Sequence, residues 1–506
     1  MEIMEDKYLS ANKEEIESKQ ILVECVINLN QGEQIEKVLA LTADATINNA
    51  ESFEHETKFN GEIYINFMFL TPESEIGSLA STNAFSDTIK HDVLSEGQRV
   101  KADVKIVGIN PTSVGESTFK VLATVEVGLT MEGNATIESF QNTNQNNCTQ
   151  QGKFALNVLS QDVSGSFSCE KSIVVKEGAS KVLVASSGAI LRQVDTGVGY
   201  VSVQGDVYTY LSYAKHDGGL VHTQVVQSFK EELEVDNSTK ESFIEAYLKV
   251  KQAETTVSLS EKEEGTEILV NTPLIAYVKV YDSKEYSFVS DVYSLTNELE
   301  ISKSTFSNTR VLPAKYFEGK IEGNLTLSES QARIDKVLTV SAPSLTLSNH
   351  YVTDGEIFVD GIVHANVIYL NDEENSINSV EIEVPFSTSE KINSEIANLN
   401  TKVQACLSDC DVIAKRGREI YFDCKIKVYA NLWHKEQKEI ISKVVDGRTF
   451  DQRDSAIEIY FAKVGETVWD IAKELKVTTD LVMGQNPTLT NPLESNEKVV
   501  VYYGID

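Results

Sequence analysis

Gly61-Glu-Ile-Tyr-Ile-Asn-Phe-Met-Phe-Leu70, Gly205-Asp-Val-Tyr-Thr-Tyr-Leu-Ser-Tyr213 and Gly361-Ile-Val-His-Ala-Asn-Val-Ile-Tyr-Leu370 are three versions of one phrase. Each opens on a glycine and continues with apolar, β-branched and aromatic residues at strand spacing. Upstream of each, Lys37-Val38-Leu39, Lys181-Val182-Leu183 and Lys336-Val337-Leu338 lead into a strand-like run, with a similar interval to the glycine in the three copies. Downstream, a further shared interval reaches Phe85, Phe229 and Phe386. The second half of each copy offers more strands, at 118–127, 266–280 and 419–429. Few segments carry helical periodicity. Short strands at regular spacing therefore predict a mainly β chain of three tandem β-sandwich or partly open barrel modules, each of ~110 residues.

The expected limits are a tail at 1–17, module one at 18–133, a linker at 134–162, module two at 163–282, a connecting segment at 283–314, and module three at 315–435. The Asn/Gln run at 142–152 reads as a loop by composition. Val292-Tyr-Ser-Leu-Thr-Asn-Glu-Leu-Glu-Ile301 alternates well enough to add a strand outside the repeat, and the charged stretch at 436–455 reads as a short helical tether. Proteolysis is expected to begin in the Asn/Gln run and near Gly447, since exposed polar tips are nicked first.

After the tether, residues 456–506 form a unit with its own punctuation. Ile457, Ile459 and Phe461 alternate with Glu458, Tyr460 and Ala462 as a short strand, and Gly465-Glu466 turns it. Thr467 with Asp470 three residues on is a helix-start box, and Val468, Ile471, Ala472 and Leu475 make one apolar helix face. Thr478 can cap a second helix carrying Leu481 and Val482, which Asn486-Pro487 stops because a residue before proline is pushed out of helical geometry. Lys498 to Tyr502 closes the unit as a strand. A strand, two short helices and a strand, with Gly-Glu-Thr-Val-Trp-Asp-Ile-Ala in front and Gln-Asn-Pro behind, resembles the LysM domain. The resemblance implies a βααβ fold with a shallow N-acetylglucosamine groove, lined here by Gly465, Glu466, Thr467, Val468, Met483, Asn486, Pro487 and Leu489. Trp469 reads either as a half-buried packing residue or as an exposed partner anchor.

Composition narrows the partners. The 506 residues carry 45 basic against 77 acidic side chains, a formal charge of −32 that repels phosphate backbones and anionic membranes. Met1-Glu2-Ile3-Met4-Glu5-Asp6-Lys7 has no basic or apolar leader character, and no apolar run approaches ~18 residues, so the product is expected to stay in the cytosol without membrane insertion. Six scattered cysteines are expected to be free, mostly buried thiols; Cys406 and Cys410 have half the spacing of a metal site but no second pair beside them. No phosphate loop, His-Glu-x-x-His or Gly-x-Ser-x-Gly occurs, and the histidines are scattered, so neither a catalytic residue, a metal nor a cofactor is expected.

Three β repeats followed by a LysM-like unit resemble the SipL family of clostridial spore-coat morphogenetic proteins, which are built from SPOCS domains. That resemblance implies a non-enzymatic scaffold in the mother cell at the forespore surface, whose LysM unit docks onto SpoIVA, the ATP-hydrolysing protein of the coat's base layer. The β modules would contact copies of themselves or other coat proteins. Two other readings stay open: a wall or spore-appendage protein that binds peptidoglycan or a chitin-type glycan, and a cell-wall hydrolase, which would need two carboxylates flanking a sugar cleft.

Overall fold

The computed structural model describes residues 5–30, 33–92, 98–114, 118–142, 144–236, 238–372, 376–392, 396, 398–415, 417–451 and 455–503. The first unit runs β1 (Glu5–Asn28), β2 (Lys37–Ser52), β3 (Glu56–Leu70), β4 (Ile76–Lys90), β5 (Gln98–Val114) and β6 (Thr118–Phe140). The second has β7 (Asn147–Val175), β8 (Lys181–Thr196), β9 (Tyr200–Ala214), β10 (Leu220–Glu234), β11 (Phe243–Val250), β12 (Thr256–Lys262) and β13 (Gly265–Ser294). The third has β14 (Asn297–Thr326), β15 (Ile334–Thr353), β16 (Glu356–Asn371), β17 (Ile377–Lys391), β18 (Leu399–Lys415) and β19 (Glu419–Thr449). Each unit pairs an antiparallel meander, β2-β3-β4, β8-β9-β10 or β15-β16-β17, with a second sheet centred on its last strand. In the first unit Ile63, Ile65 and Phe67 of the meander share one buried core with Ile27, Val121 and Val125 of the other sheet, which is sandwich packing.

The repeated phrases form the central meander strands, and the register explains their fixed residues. Gly61, Gly205 and Gly361 lie directly opposite Phe85, Phe229 and Phe386. A β-carbon at any of the three glycines would strike that ring and a backbone carbonyl of the neighbouring strand, from Thr46, Ile190 or Thr346. Only glycine lets the aromatic ring lie flat over the strand.

The Lys-Val-Leu motifs mark a different device. The register slips between Val38 and Ala40, between Val182 and Val184, and between Val337 and Thr339. The extra residue is Leu39, Leu183 or Leu338, and a β-bulge re-aims the side chain it inserts. All three leucines enter one cluster with Met68, Leu70 and Ile368, drawn from all three units. The repeat signature is thus the point at which the units hold one another.

Among the described residues, the segments expected to be tail, linker, connector and tether are instead mostly strand. β1 stays paired with β6 from Glu5 opposite Phe140 to Asn28 opposite Thr118, so the tail is part of the first sheet. The polar run turns at 145–146 before β7 begins, and β7 pairs with β13 out to Asn147 opposite Ser294. The 292–301 stretch is split by a turn at Leu295 and Thr296 between β13 and β14, and β19 carries the supposed helical tether, Gly447 included, to Thr449. Charges in that tether pair across strands, Arg310 with Glu436 at 3.6 Å and Lys303 with Glu439 at 3.4 Å, rather than along a helix. Ile440 and Ile441 pack against Leu156, Ile137, Phe140 and Val292 from the other two ribbons. Because only one face of each ribbon is covered, its sequence is polar enough to read as a linker.

Amide side chains close strand edges where ribbons and units meet. Asn134 bonds both the N–H and C=O of Leu159 at 2.8 Å, and Asn308 does the same for Asn157 at 3.2 and 2.9 Å. Asn431 and Gln404 of the third unit bond both backbone groups of Ala246 and Leu248 on β11. Beside them lies a buried charge cluster: Lys13 pairs with Glu245, Lys279 with Glu132, and the Tyr281 hydroxyl donates to Glu245 at 3.3 Å.

Two outcomes test this frame. Leu183→Ala is expected to lower stability by about 2–5 kcal/mol in denaturant titration, the cost of a cavity at a shared core, and an unchanged midpoint would show that the units do not rely on the cluster. Burial by itself would raise the Glu245 pKa, but the Lys13 and Lys279 charges outweigh it and hold the carboxyl at about 2, below its ordinary 4.5. A folded pKa below the unfolded one means the stabilisation is complete above pH ~4.5 and is lost as pH falls through about 2. Glu245→Gln, which leaves Lys13 buried without its counter-charge, is expected to cost about 3–5 kcal/mol at neutral pH. The gap between wild type and variant should narrow as the pH falls from 4.5 toward 2.

Candidate functional site

After β19 come β20 (Ile457–Ala462), α1 (Val468–Leu475), α2 (Thr479–Gln485) and β21 (Glu497–Tyr502), with β20 and β21 antiparallel. Gly465, at φ +89°, makes the turn into α1. Its N–H donates to the Leu493 carbonyl, and the Leu493 N–H donates to the Glu466 carbonyl, both at 2.9 Å, so the first and last loops are stitched together. Thr467 and Asp470 close a capping box over α1, whose Val468, Ile471, Ala472 and Leu475 are buried. Lys476, in the left-handed region at φ 53°, ends it. Thr478 caps α2.

The residues expected to line the groove are largely committed within the unit. Val468 and Leu489 are buried. The Glu466 carboxylate accepts the Lys463 N–H at 3.1 Å and the Tyr460 hydroxyl at 3.4 Å, and the Thr467 hydroxyl bonds Asp470. Asn486 uses its amide on the carbonyl and N–H of Val500, at 2.9 and 3.0 Å. Met483 and Pro487 remain exposed.

Trp469 faces the body of the chain. Its indole N–H donates to Asp291 at 2.8 Å, its ring meets Tyr293 edge-on at 4.9 Å, and the Lys473 ammonium pairs with Asp291 at 2.6 Å. The Tyr293 hydroxyl donates to the Val477 carbonyl at 2.6 Å. Burial opposes ionisation of Asp291, but Lys473 and the indole hold its carboxyl below the usual range. Trp469 is therefore a half-buried contact that seats the small unit on β13. Asp291 and Tyr293 had no signal in the sequence, since they lie far from the unit that they hold.

The open surface lies on the other side. Gln485 bonds both backbone groups of Tyr502, at 3.0 and 2.7 Å, just as Asn486 bonds those of Val500. The N–H and C=O of residues 500 and 502 thus point toward α2, which makes Ile459 opposite Val500 and Ile457 opposite Tyr502 non-hydrogen-bonded pairs. By the same alternation, the backbone groups of Ile457, Ile459 and Phe461 point away from β21, and among the described residues none of them has a backbone partner beyond it. Their side chains turn outward as well: Phe461 is 74 % exposed, and Ile457, Ile459 and Tyr502 about half. The inward row of β20 is Glu458, Tyr460 and Ala462. The strand is inside out, with its more apolar row in solvent. That inversion was visible as alternation, but alternation does not say which row faces the helices.

For metals, one group among the described residues brings ligand-type atoms together, His364 with Glu381 and Glu383 within 4.8 Å. The two carboxylates are exposed at the border of an open cleft between the units, an ordinary arrangement for so acidic a chain.

Residues 333–415 match the family model described as SipL, SPOCS domain. The matched stretch begins at the head of β15 and ends with β18, and so contains Lys336-Val337-Leu338, Gly361 and Phe386. It supports a SipL-like family for the chain. No curated protein matches the sequence. Among the described residues no helix is long and apolar enough to cross a membrane.

Asp291→Ala, made in a Trp433→Phe background, is expected to shift Trp469 emission to the red as the indole loses its acceptor and gains water. Far-UV circular dichroism should stay unchanged. An unshifted spectrum would mean that the small unit does not rest on β13 in solution.

Proposed function

We propose that this chain is a non-catalytic scaffold of spore-coat assembly. In this reading all three β units are SPOCS domains, of which the third carries the family match. The unit of β20, α1, α2 and β21 is of the LysM type and docks onto a protein of the coat's base layer, a SpoIVA-like ATPase, at the forespore surface in the mother cell.

The observation that carries the docking reading is the open edge of β20 with its outward apolar row. At β7 and β11 amide side chains occupy the strand edges, whereas an unpaired edge beside exposed Ile457, Ile459, Phe461 and Tyr502 offers both backbone hydrogen bonds and an apolar row for an added strand. An acidic chain with such a stripe suits a protein strand better than a sugar polymer, whose recognition rests on free hydrogen-bonding groups. The groove groups that a glycan would need, Glu466 and Asn486, already bond the unit's own backbone.

Ile459→Asp places a charge in the middle of the stripe while leaving the buried row intact. It is expected to weaken capture of the base-layer ATPase by the full chain at least tenfold, roughly the loss of one interface anchor. Binding at wild-type strength would remove this face from the site. Retention of the full chain on purified peptidoglycan, reduced by Pro487→Asp and not by Ile459→Asp, would favour the glycan-binding reading instead.

A further inference from the structure

Cys410 on β18 and Cys424 on β19 stand directly opposite one another in the register. Both side chains are buried in the third core, and the Cys424 thiol donates to the Cys410 sulfur at 3.0 Å. The backbone geometry suits a covalent link. The Leu327 N–H donates to the Arg418 carbonyl at 2.8 Å, so at a period of two along β19 the backbone groups of Cys424 face Ile321 on β14 and not β18. The cysteines are thus a non-hydrogen-bonded pair, in which opposing Cα atoms lie about 4.5 Å apart, inside the span of about 4.4–6.8 Å that a disulfide needs. The sulfurs of Cys25 and Cys406 instead approach backbone carbonyls, of Val23 and Leu407.

We propose that Cys410 and Cys424 are a modification site, a thiol pair that a peroxide closes to a disulfide. Two S–H bonds break and one S–S bond forms; the two electrons go to the peroxide O–O bond, which is cleaved, and with hydrogen peroxide the two protons leave in two waters. The link joins an edge strand to the centre of its sheet. β18 ends the β14-β19-β18 sheet, and its Cys406 reaches into the core of the second unit against Gly188. Closing the pair therefore clamps one of the strands through which the second and third units touch.

The test uses the full chain, exposed to hydrogen peroxide or kept reduced, then denatured and alkylated. The reduced protein is expected to take up six adducts, one for each free cysteine, and the oxidised protein four. Peptide mapping should recover a Cys410 to Cys424 link, absent from Cys410→Ser, and oxidation should raise the thermal midpoint of wild type but not of that variant. Because both sulfurs are buried, the exposure is repeated in urea below the unfolding transition, where the edge strand can open. Alkylation of both Cys410 and Cys424 after oxidation under both conditions overturns the proposal, as does a link from Cys410 to any other cysteine. A cross-linked chain with an unshifted midpoint overturns the clamp.

Discussion

A β-strand at the edge of a sheet presents a row of backbone N–H and C=O groups that must find a partner or remain in water, and this molecule is arranged around that requirement. Its units are small sandwiches with edges on both sheets. Where those edges meet another unit, an asparagine or glutamine side chain takes the place of a further strand, as Asn431 and Gln404 do for β11 and Asn134 and Asn308 do for β7. A primary amide holds an N–H donor and a carbonyl acceptor side by side, so it can satisfy both backbone groups of one residue without adding a further strand. The outward edge of β20 is left without such a seal, and that difference gives the surface its interest.

The same economy governs how the three units stay together. Two contacts draw residues from all three units. At one, a β-bulge turns the leucine of each Lys-Val-Leu motif into a common apolar cluster. At the other, the three long hairpins continue past their sandwiches and pack as ribbons around Tyr8, Leu156, Phe306 and Ile440. Between them Lys13, Glu132, Glu245 and Lys279 are buried as opposed charges. Such pairs add little net stability compared with apolar packing, but removing one partner leaves a buried charge unpaired at a cost of about 3–5 kcal/mol.

Seating the C-terminal unit on β13 has a consequence for its chemistry. The contact through Trp469, Lys473 and Asp291 fixes the side that carries α1 and leaves β20 turned outward. Its tryptophan, the residue type most often spent on a partner, is spent within the chain. Among the residues left free to meet another molecule are Ile457, Ile459, Phe461 and Tyr502, whose contiguous apolar surface is costly to leave in water unless it is covered during function.

Much of this was legible in the residues alone. Local rules place the capping box of Thr467 and Asp470, the buried face of α1 and the central strands that open on Gly61, Gly205 and Gly361, because helix caps and strand periodicity depend only on neighbours along the chain. The spacing of glycine to phenylalanine was also readable as a repeat, though its cause, a ring lying over a bare Cα on the next strand, was not. The tail, linker, connector and tether were misread because a ribbon covered on one face has the polar composition of a loop, and only the partner strand reveals it. Which row of β20 faces solvent, that Trp469 meets Asp291, and that Cys410 meets Cys424 rather than Cys406 are set by contacts between residues distant in sequence. By itself the sequence determined the kinds of element and their repetition; the tertiary structure decided which edges another unit closes and that the edge of β20 stays open, since an edge is defined by what lies beside it in space.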